Sequence, residues 1–364
     1  MFAVIMAGGF GTRFWPRSRK RTPKQFLDIY GGKTMIQQTL DRFEGLVSGE
    51  DSFIVTNAIQ VGMLKEQIGS YKIPDKNIIA EPMGRNTAPA IALAALFIKK
   101  YSPEKLNETM VVLPSDHLIT DFDTFRKNLN FASEIAQKTG DLVTFGIPPT
   151  FPATGYGYIQ RTENDLDFDT DNSAFKVKAF AEKPNYATAE RFLESGEFLW
   201  NSGMFVWQVS RILEELEKYM PATMEVLNRI LDEIGTEKQD VAILEAYTKI
   251  KGESIDYGVM EKSRNISVVT AQFDWNDLGS WKEVYTEGEK DEQGNVKLGN
   301  VKLIDTKDSL FYHSDPKKMI AAIGVENLLV VDTKNALLVC NKNNAQDVKK
   351  IVEALQEESR EEYL

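Results

Sequence analysis

The sequence of 364 residues holds one cysteine, Cys340, and two histidines, His117 and His313. A lone cysteine excludes an intrachain disulfide and a cysteine-rich metal site. Two histidines leave little material for a histidine-based zinc site. Positive charge is also short: 43 Lys and Arg against 54 Asp and Glu give a formal net charge of −11, with a pI near 5.0. Binders of nucleic acid or anionic membranes present a broad basic face that displaces counterions, so neither partner is expected. Long apolar runs are missing too. The longest, AIALAALFI over 90–98, falls well short of the roughly 20 residues that span a bilayer. The opening FAVIMA lacks the basic n-region and the length of a signal peptide. A cytoplasmic protein is expected.

Apolar residues at 42% and charged ones at 27% are ordinary for a globular protein. The length allows a large core and points to two domains, or to one large α/β domain with an appendage. Short apolar runs alternate with helical periodicity: FAVIM, SFIVT, NIIA, TMVVLP and LVTFGI, with TAPAIALAALFIKKY and TFRKNLNFASEIAQK between them. Strand runs that are continuously apolar suit a sheet covered by helices on both faces. The expected fold is α/β, a doubly wound, mostly parallel, Rossmann-like sheet. Ligands of such sheets sit beyond the carboxyl ends of the strands, where strand order reverses.

The stretch from about 210 to 251 reads as a packed helical insertion with solvated carboxylates, and no chemistry is assigned to it. After Glu289 the texture changes to short β-branched runs between polar turns, closed by the helical DVKKIVEALQEE. The expected division is therefore a catalytic domain over 1–289 and a small β-rich domain over 290–364, either a coil of strands or a small sandwich.

Against the acidic whole, the first 27 residues carry six basic side chains (Arg13, Arg17, Arg19, Lys20, Arg21 and Lys24) and no carboxylate. They follow Gly8, Gly9 and Gly11. The third glycine of a dinucleotide fingerprint is missing, as is the Gly-Lys-Ser/Thr of a Walker loop. A Gly-Gly-x-Gly-x-Arg turn after a strand still presents backbone N–H groups to phosphate oxygens, with Arg supplying charge-assisted bonds. A tight turn followed by a solvated basic run is the plain alternative.

Four further groups carry candidate chemistry. Leu113-Pro114-Ser115-Asp116 delivers a carboxylate to the end of a strand, as a Mg²⁺ ligand or as a turn cap. Asp277, between Trp275 and Trp281, is either the second carboxylate of such a site or a helix cap. Glu182 and Lys183, with Gly157 and Asn201, offer partners for sugar hydroxyls and a sugar phosphate. Glu81 and Arg85-Asn86-Thr87 open a helix, where Arg85 and Asn86 can donate to a base or phosphate and Thr87 reads as an N-cap.

Taken together, GGFGTRFWP with PKQF, EPMGRNTAPAI, PSDH, FAEKP, WNSGMF and WNDLGSW resemble the sugar nucleotidyltransferases, and within them the mannose-1-phosphate guanylyltransferases. The resemblance covers nearly the whole chain. It implies that Gly8, Gly9, Gly11 and Arg13 cradle GTP, with Ala7, Thr12 and Ser115 at the strand ends beside them. It implies Lys24 on the phosphates, Asp116 and Asp277 on Mg²⁺, and Arg13, Lys24 and Asp116 as the catalytic set. Glu81, Arg85, Asn86 and Thr87 would lie by the nucleotide, and Gly157, Glu182, Lys183 and Asn201 would hold mannose 1-phosphate. The tail resembles a short β-helix-like unit used for dimer contacts, so a homodimer is expected. Two-function relatives carry an extra isomerase domain, which this chain is expected to lack. Phe14 and Arg17 stand where that family often has leucine or another apolar residue, which bears on the packing beneath the loop. The reaction implied joins GTP and mannose 1-phosphate to give GDP-mannose and pyrophosphate. Other sugar 1-phosphate and NTP pairs, or a non-catalytic binder on the same scaffold, are the alternatives.

Overall fold

The computed structural model describes residues 1–166, 168 and 172–364, without the side chain of residue 164. The chain forms two compact units: 1–8, 39–115 and 119–275 in the first, and 9–38, 116–118 and 276–364 in the second.

In the first unit the strands are β1 (Phe2–Ala7), β2 (Ser52–Asn57), β3 (Ile78–Glu81), β4 (Thr109–Pro114), β5 (Leu142–Ile147), β6 (Tyr158–Asp165), β7 (Ala174–Ala181), β8 (Phe198–Gln208) and β9 (Ile266–Thr270). Among the described residues they form one sheet in the order β3-β2-β1-β4-β8-β5-β9-β7-β6. Pairing is parallel through β3-β2-β1-β4 and in β5-β9. The long β8 is antiparallel to β4, β5 and β6, and β7 is antiparallel to β6 and β9. The doubly wound α/β reading stands, with the sheet mixed beyond β4. The reason lies in the connections. Helical crossovers join the parallel strands, whereas β6 and β7 follow one another as a hairpin-like pair whose return strand must run antiparallel.

Helices α1 (Met35–Asp41), α2 (Val61–Ile68), α3 (Thr87–Tyr101), α4 (Phe122–Thr139), α5 (Tyr186–Ser195), α6 (Val209–Tyr219), α7 (Pro221–Asn228) and α8 (Gln239–Lys249) follow in chain order; α1 spans the division at residue 38. Every residue of α3 from Ala88 to Ile98 is buried, as expected of a helix apolar on all sides. It packs into one core with the strands, with Ile212 and Leu216 of α6, and with Tyr247 of α8. Strand order reverses at β1 and β4, whose ends lie side by side with Met6 paired to Pro114. The fold thus places Gly8 and Ser115 next to each other at the switch point.

In the second unit, α9 (Trp281–Glu287) precedes β10 (Val296–Leu298), β11 (Val301–Ile304), β12 (Leu310–His313), β13 (Ile320–Ile323), β14 (Leu328–Asp332) and β15 (Leu337–Asn341), and α10 (Val348–Glu357) follows. Parallel pairs β10-β12-β14 and β11-β13 recur along the chain, with β15 antiparallel on β14. This is a coil of strands rather than a sandwich. Its core joins Leu310, Leu329 and Val331 to Phe14, Trp15, Leu278 and Trp281 and to Val348 and Val352 of α10.

Candidate active site

In the second unit, a short 3₁₀ turn over Thr12–Phe14 begins at Gly11, whose backbone is left-handed at φ 60°. A Cβ there would lie 2.4 Å from Lys24 Cβ, so both the conformation and the space demand glycine. Lys24 is buried, and its Nζ donates to Asp116 Oδ2 at 3.0 Å and to the Asp277 carbonyl at 2.7 Å. Gly11, Thr12, Arg13, Lys24, Asp116 and Asp277 line a single cavity of about 350 Å³. Burial opposes ionisation of Asp116, but Lys24 and His117 beside it outweigh that and hold its carboxyl below the ordinary value. It is therefore an anion at neutral pH.

Among the described residues no group of three or more His, Cys, Asp or Glu side chains is gathered to hold an ion. The cavity offers two carboxylates. That donor set fits Mg²⁺, which takes one or two protein carboxylates and fills its remaining positions with substrate phosphates and water. A larger recess of about 760 Å³ lies along the strand coil. Two of its lining charges, Lys297 and Asp291, pair with each other at 3.0 Å, and volume alone gives it no chemistry.

Three other basic residues of the opening segment, Arg17, Arg19 and Lys20, are occupied elsewhere. Arg17 donates to the Asp28 carbonyl at 2.6 Å and lies 4.5 Å from the Tyr312 ring centre. Arg19 donates to the Tyr363 carbonyl and to Asn335 Oδ1, and Lys20 pairs with Glu361 at 2.7 Å. Beneath the loop, Phe14 packs on Trp281 at 5.3 Å, and Trp281 Nε1 donates to the Trp15 carbonyl at 3.1 Å. An aromatic pair thus fills the space under the glycine turn. Arg13 and Arg21 are exposed.

In the first unit, Glu81 ends β3 only 6% exposed. Tyr247 Oη donates to its Oε1 at 3.1 Å, and a Cβ on Gly8 would lie 3.3 Å from its Oε2. Burial pushes this carboxyl up to about 7, with the Tyr247 bond opposing the shift. Arg85 Nε donates to the Tyr247 carbonyl at 2.7 Å. The cap of α3 is Asn86, whose side chain accepts from Thr87 N at 2.9 Å. Thr87, read from sequence as the N-cap, is instead the first helical residue, and its Oγ1 accepts from Ile255 N at 2.9 Å. Asn86 takes the cap because its backbone, at φ 67°, lies outside the helix. Ala7 is buried, with its carbonyl accepting from Thr56 Oγ1 at 2.9 Å; Ser115, also buried, donates from its N–H to the Met6 carbonyl at 3.1 Å.

A second cluster of that unit brings Gly157, Glu182 and Asn201 together. A Cβ on Gly157 would meet Glu182 Oε2 at 2.5 Å and Asn201 Cβ at 3.4 Å. Lys183 Nζ pairs with Glu182 Oε1 at 2.7 Å. Sequence reasoning missed Asp256, whose Oδ1 accepts from Asn201 Nδ2 at 2.7 Å. Burial pushes its carboxyl up, and Glu182 adds repulsion, while Asn201 partly compensates. Asp256 follows the helical insertion, whose amphipathic pattern signals packing; the acid in SIDYG carries no local signal of a ligand.

The nucleotidyl transferase family model matches residues 2–294, and the model described as the MannoseP isomerase/GMP-like beta-helix domain matches 299–355. Over all 364 residues the chain is 42% identical to a mannose-1-phosphate guanylyltransferase of Klebsiella pneumoniae, covering 75% of that protein. It is 38% identical to the alginate biosynthesis protein AlgA of Pseudomonas putida, covering 73% of it. The crystal structure of a mannose-1-phosphate geranyltransferase from Thermus thermophilus superposes with a TM-score of 0.82 at 31% identity, over 98% of this chain and 99% of that one. No helix among the described residues is long and apolar enough to cross a membrane. The chain belongs to the nucleotidyl transferase family, in the branch of the mannose-1-phosphate guanylyltransferases.

Proposed function

We propose that the protein transfers GMP from GTP to α-D-mannose 1-phosphate, giving GDP-mannose and pyrophosphate. The observation that carries the reading is the one cavity lined by Gly11, Arg13, Lys24, Asp116 and Asp277. A sugar-phosphate oxygen attacks the α-phosphorus in line and pyrophosphate leaves. Two polyanions must be brought together, so positioning and charge neutralisation do the work and no activated side-chain nucleophile is required. Arg13 and Lys24 neutralise the β- and γ-phosphates and the pyrophosphate as it departs. Family members generally depend on a divalent cation. Asp116 and Asp277 would hold Mg²⁺, which when bound supplies Lewis-acid neutralisation of phosphate oxygens. Lys24, fixed by Asp116 and the Asp277 carbonyl, keeps those acids in register. The test is pyrophosphate release against a matrix of sugar 1-phosphates and NTPs. Mannose 1-phosphate with GTP should be among the best pairs, and a preference for glucose 1-phosphate with UTP or dTTP would overturn the reading.

Glu81 supplies a reason for guanine. The base presents N1–H and a 2-amino group side by side, and an ionised carboxylate accepts both; adenine offers an acceptor at N1 and is repelled. With Arg85, Asn86 and Thr87 we place Glu81 by the nucleotide. Because its carboxyl sits near 7, the accepting form is lost as pH falls through that value. KM for GTP should therefore rise from pH 8 to pH 6 in the wild type more steeply than in Glu81→Gln. That variant should also lose at least about tenfold of the GTP-over-ATP preference, the worth of roughly one charged hydrogen bond. For the ligand-free protein the sign is reversed. The raised carboxyl favours folding at low pH, and that contribution is lost as pH rises through about 7.

Glu182, Lys183, Asn201 and Gly157 would hold mannose 1-phosphate, and Asp256 joins them through Asn201. Asp256→Ala should raise KM for mannose 1-phosphate about tenfold or more while KM for GTP changes little, the loss expected when a buried charged partner goes. Equal changes in both constants would remove Asp256 from the sugar site. Within the same proposal, 1–289 is the catalytic domain and 290–364 a dimer-forming domain. Exposed Ile304, Met319, Ile323, Leu337 and Val339 on the strand coil support the latter.

A further inference from the structure

The closing helix α10 invites a purely structural reading. Val348 and Val352 sink into the core of the second unit beside Phe14 and Trp15, and the helix packs on the turn that bears Arg13. Anchored in this way, it brings Lys349 to the wall of the cavity that holds Gly11, Arg13, Lys24, Asp116 and Asp277.

Charge shows what Lys349 adds. Setting His117 and any bound cation aside, Arg13 and Lys24 balance Asp116 and Asp277, so without Lys349 the Lys, Arg and Asp side chains of the lining sum to zero. Moreover, Lys24 is already paired with Asp116 at 3.0 Å. A neutral lining is a poor host for a triphosphate, because field strength in a cleft follows its net charge. Lys349 makes the lining net positive. Its neighbour Lys350 is engaged with Asp347 at 2.7 Å and does not line the cavity.

We propose that Lys349 is a third phosphate-binding cation, through which the C-terminal helix takes part in holding the triphosphate of the nucleotide and the pyrophosphate product. The proposal rests on the reading of this cavity as the triphosphate site. A lysine suits the task, since a compact ammonium on a long stem can follow the pyrophosphate as it leaves.

The experiment is calorimetric titration of the full chain with inorganic pyrophosphate and with GTP, each with and without Mg²⁺, for wild type, Lys349→Ala, Lys349→Glu, Lys349→Arg and Lys350→Ala. Expected is a Kd for pyrophosphate raised at least about tenfold in Lys349→Ala, further in Lys349→Glu, and near wild type in Lys349→Arg and Lys350→Ala. These magnitudes follow from the loss or reversal of one charge-assisted contact. KM for GTP should rise in parallel, with KM for mannose 1-phosphate unchanged. If wild type binds pyrophosphate and both Lys349→Ala and Lys349→Glu bind it equally well, the proposal is overturned and the cavity reading survives. If wild type binds neither pyrophosphate nor GTP, the cavity reading falls and takes Lys349 with it. Equal weakening by Lys350→Ala would reduce the effect to general helix charge and also overturn the proposal.

Discussion

Asp116→Asn and Asp277→Asn should each lower kcat by at least about two orders of magnitude while leaving the fold intact, the loss typical of a group that stabilises transition-state charge. Both acids line the cavity of Arg13 and Lys24, and Asp116 is held ionised by Lys24 and His117 against the effect of burial. An amide keeps the size and removes the charge. In Asp116→Asn the ammonium of Lys24 loses its ion pair and retains the Asp277 carbonyl at 2.7 Å, so a small change in stability accompanies the large change in rate. Mg²⁺ titrations separate the two roles. If the acids hold the ion, the Mg²⁺ concentration for half-maximal rate rises in each variant. Near-normal turnover in both would remove them from the metal site, whatever the stability data said.

The second large effect concerns the turn itself, where two glycines do different work. Gly11→Ala forces an L side chain into a left-handed backbone and drives its Cβ against Lys24 at 2.4 Å. Strain at such a φ is worth about 1–2 kcal/mol, and overpacking adds about 1–3 kcal/mol. Denaturant melts should show a loss of at least about 2 kcal/mol, with turnover falling as Lys24 shifts. At Gly9 a Cβ would meet no protein atom within 4 Å. Gly9→Ala should therefore keep wild-type stability and raise KM for GTP, because only a ligand contests that space. Equal stability losses in the two variants would end the division of labour between them.

The two readings of the chain, by sequence and by structure, agree best where the chemistry is local. Continuous apolar runs became β1 to β5, and TAPAIALAALFIKKY became α3 over its full length. Gly11, Arg13 and Asp116 were nameable from strand ends and glycine spacing, Lys24 and Asp277 were joined to them by the family resemblance, and the structure gathers all five on one cavity. What sequence left open depended on distant partners. Whether Arg17, Arg19 and Lys20 faced phosphate or solvent could not be read locally, since their partners are Tyr312, Tyr363, Asn335 and Glu361. The helical insertion hid Tyr247 for the same reason. A buried hydroxyl aimed at Glu81 from 166 residues away leaves only an amphipathic pattern in the sequence. The antiparallel course of β8 likewise follows from which strand it returns beside, a matter of topology.

The segment after the glycine turn is fastened to the far end of the chain: Trp15 Nε1 donates to the Tyr363 carbonyl at 2.9 Å, across 348 residues, and Trp281 braces the Trp15 carbonyl from 266 residues away. During synthesis these partners emerge hundreds of residues later. At about 5–20 residues per second, the turn waits on the order of tens of seconds after leaving the ribosome before its fastenings exist. The working shape of the turn thus depends on partners made hundreds of residues later, and until they are made Trp15 has neither its acceptor nor its brace.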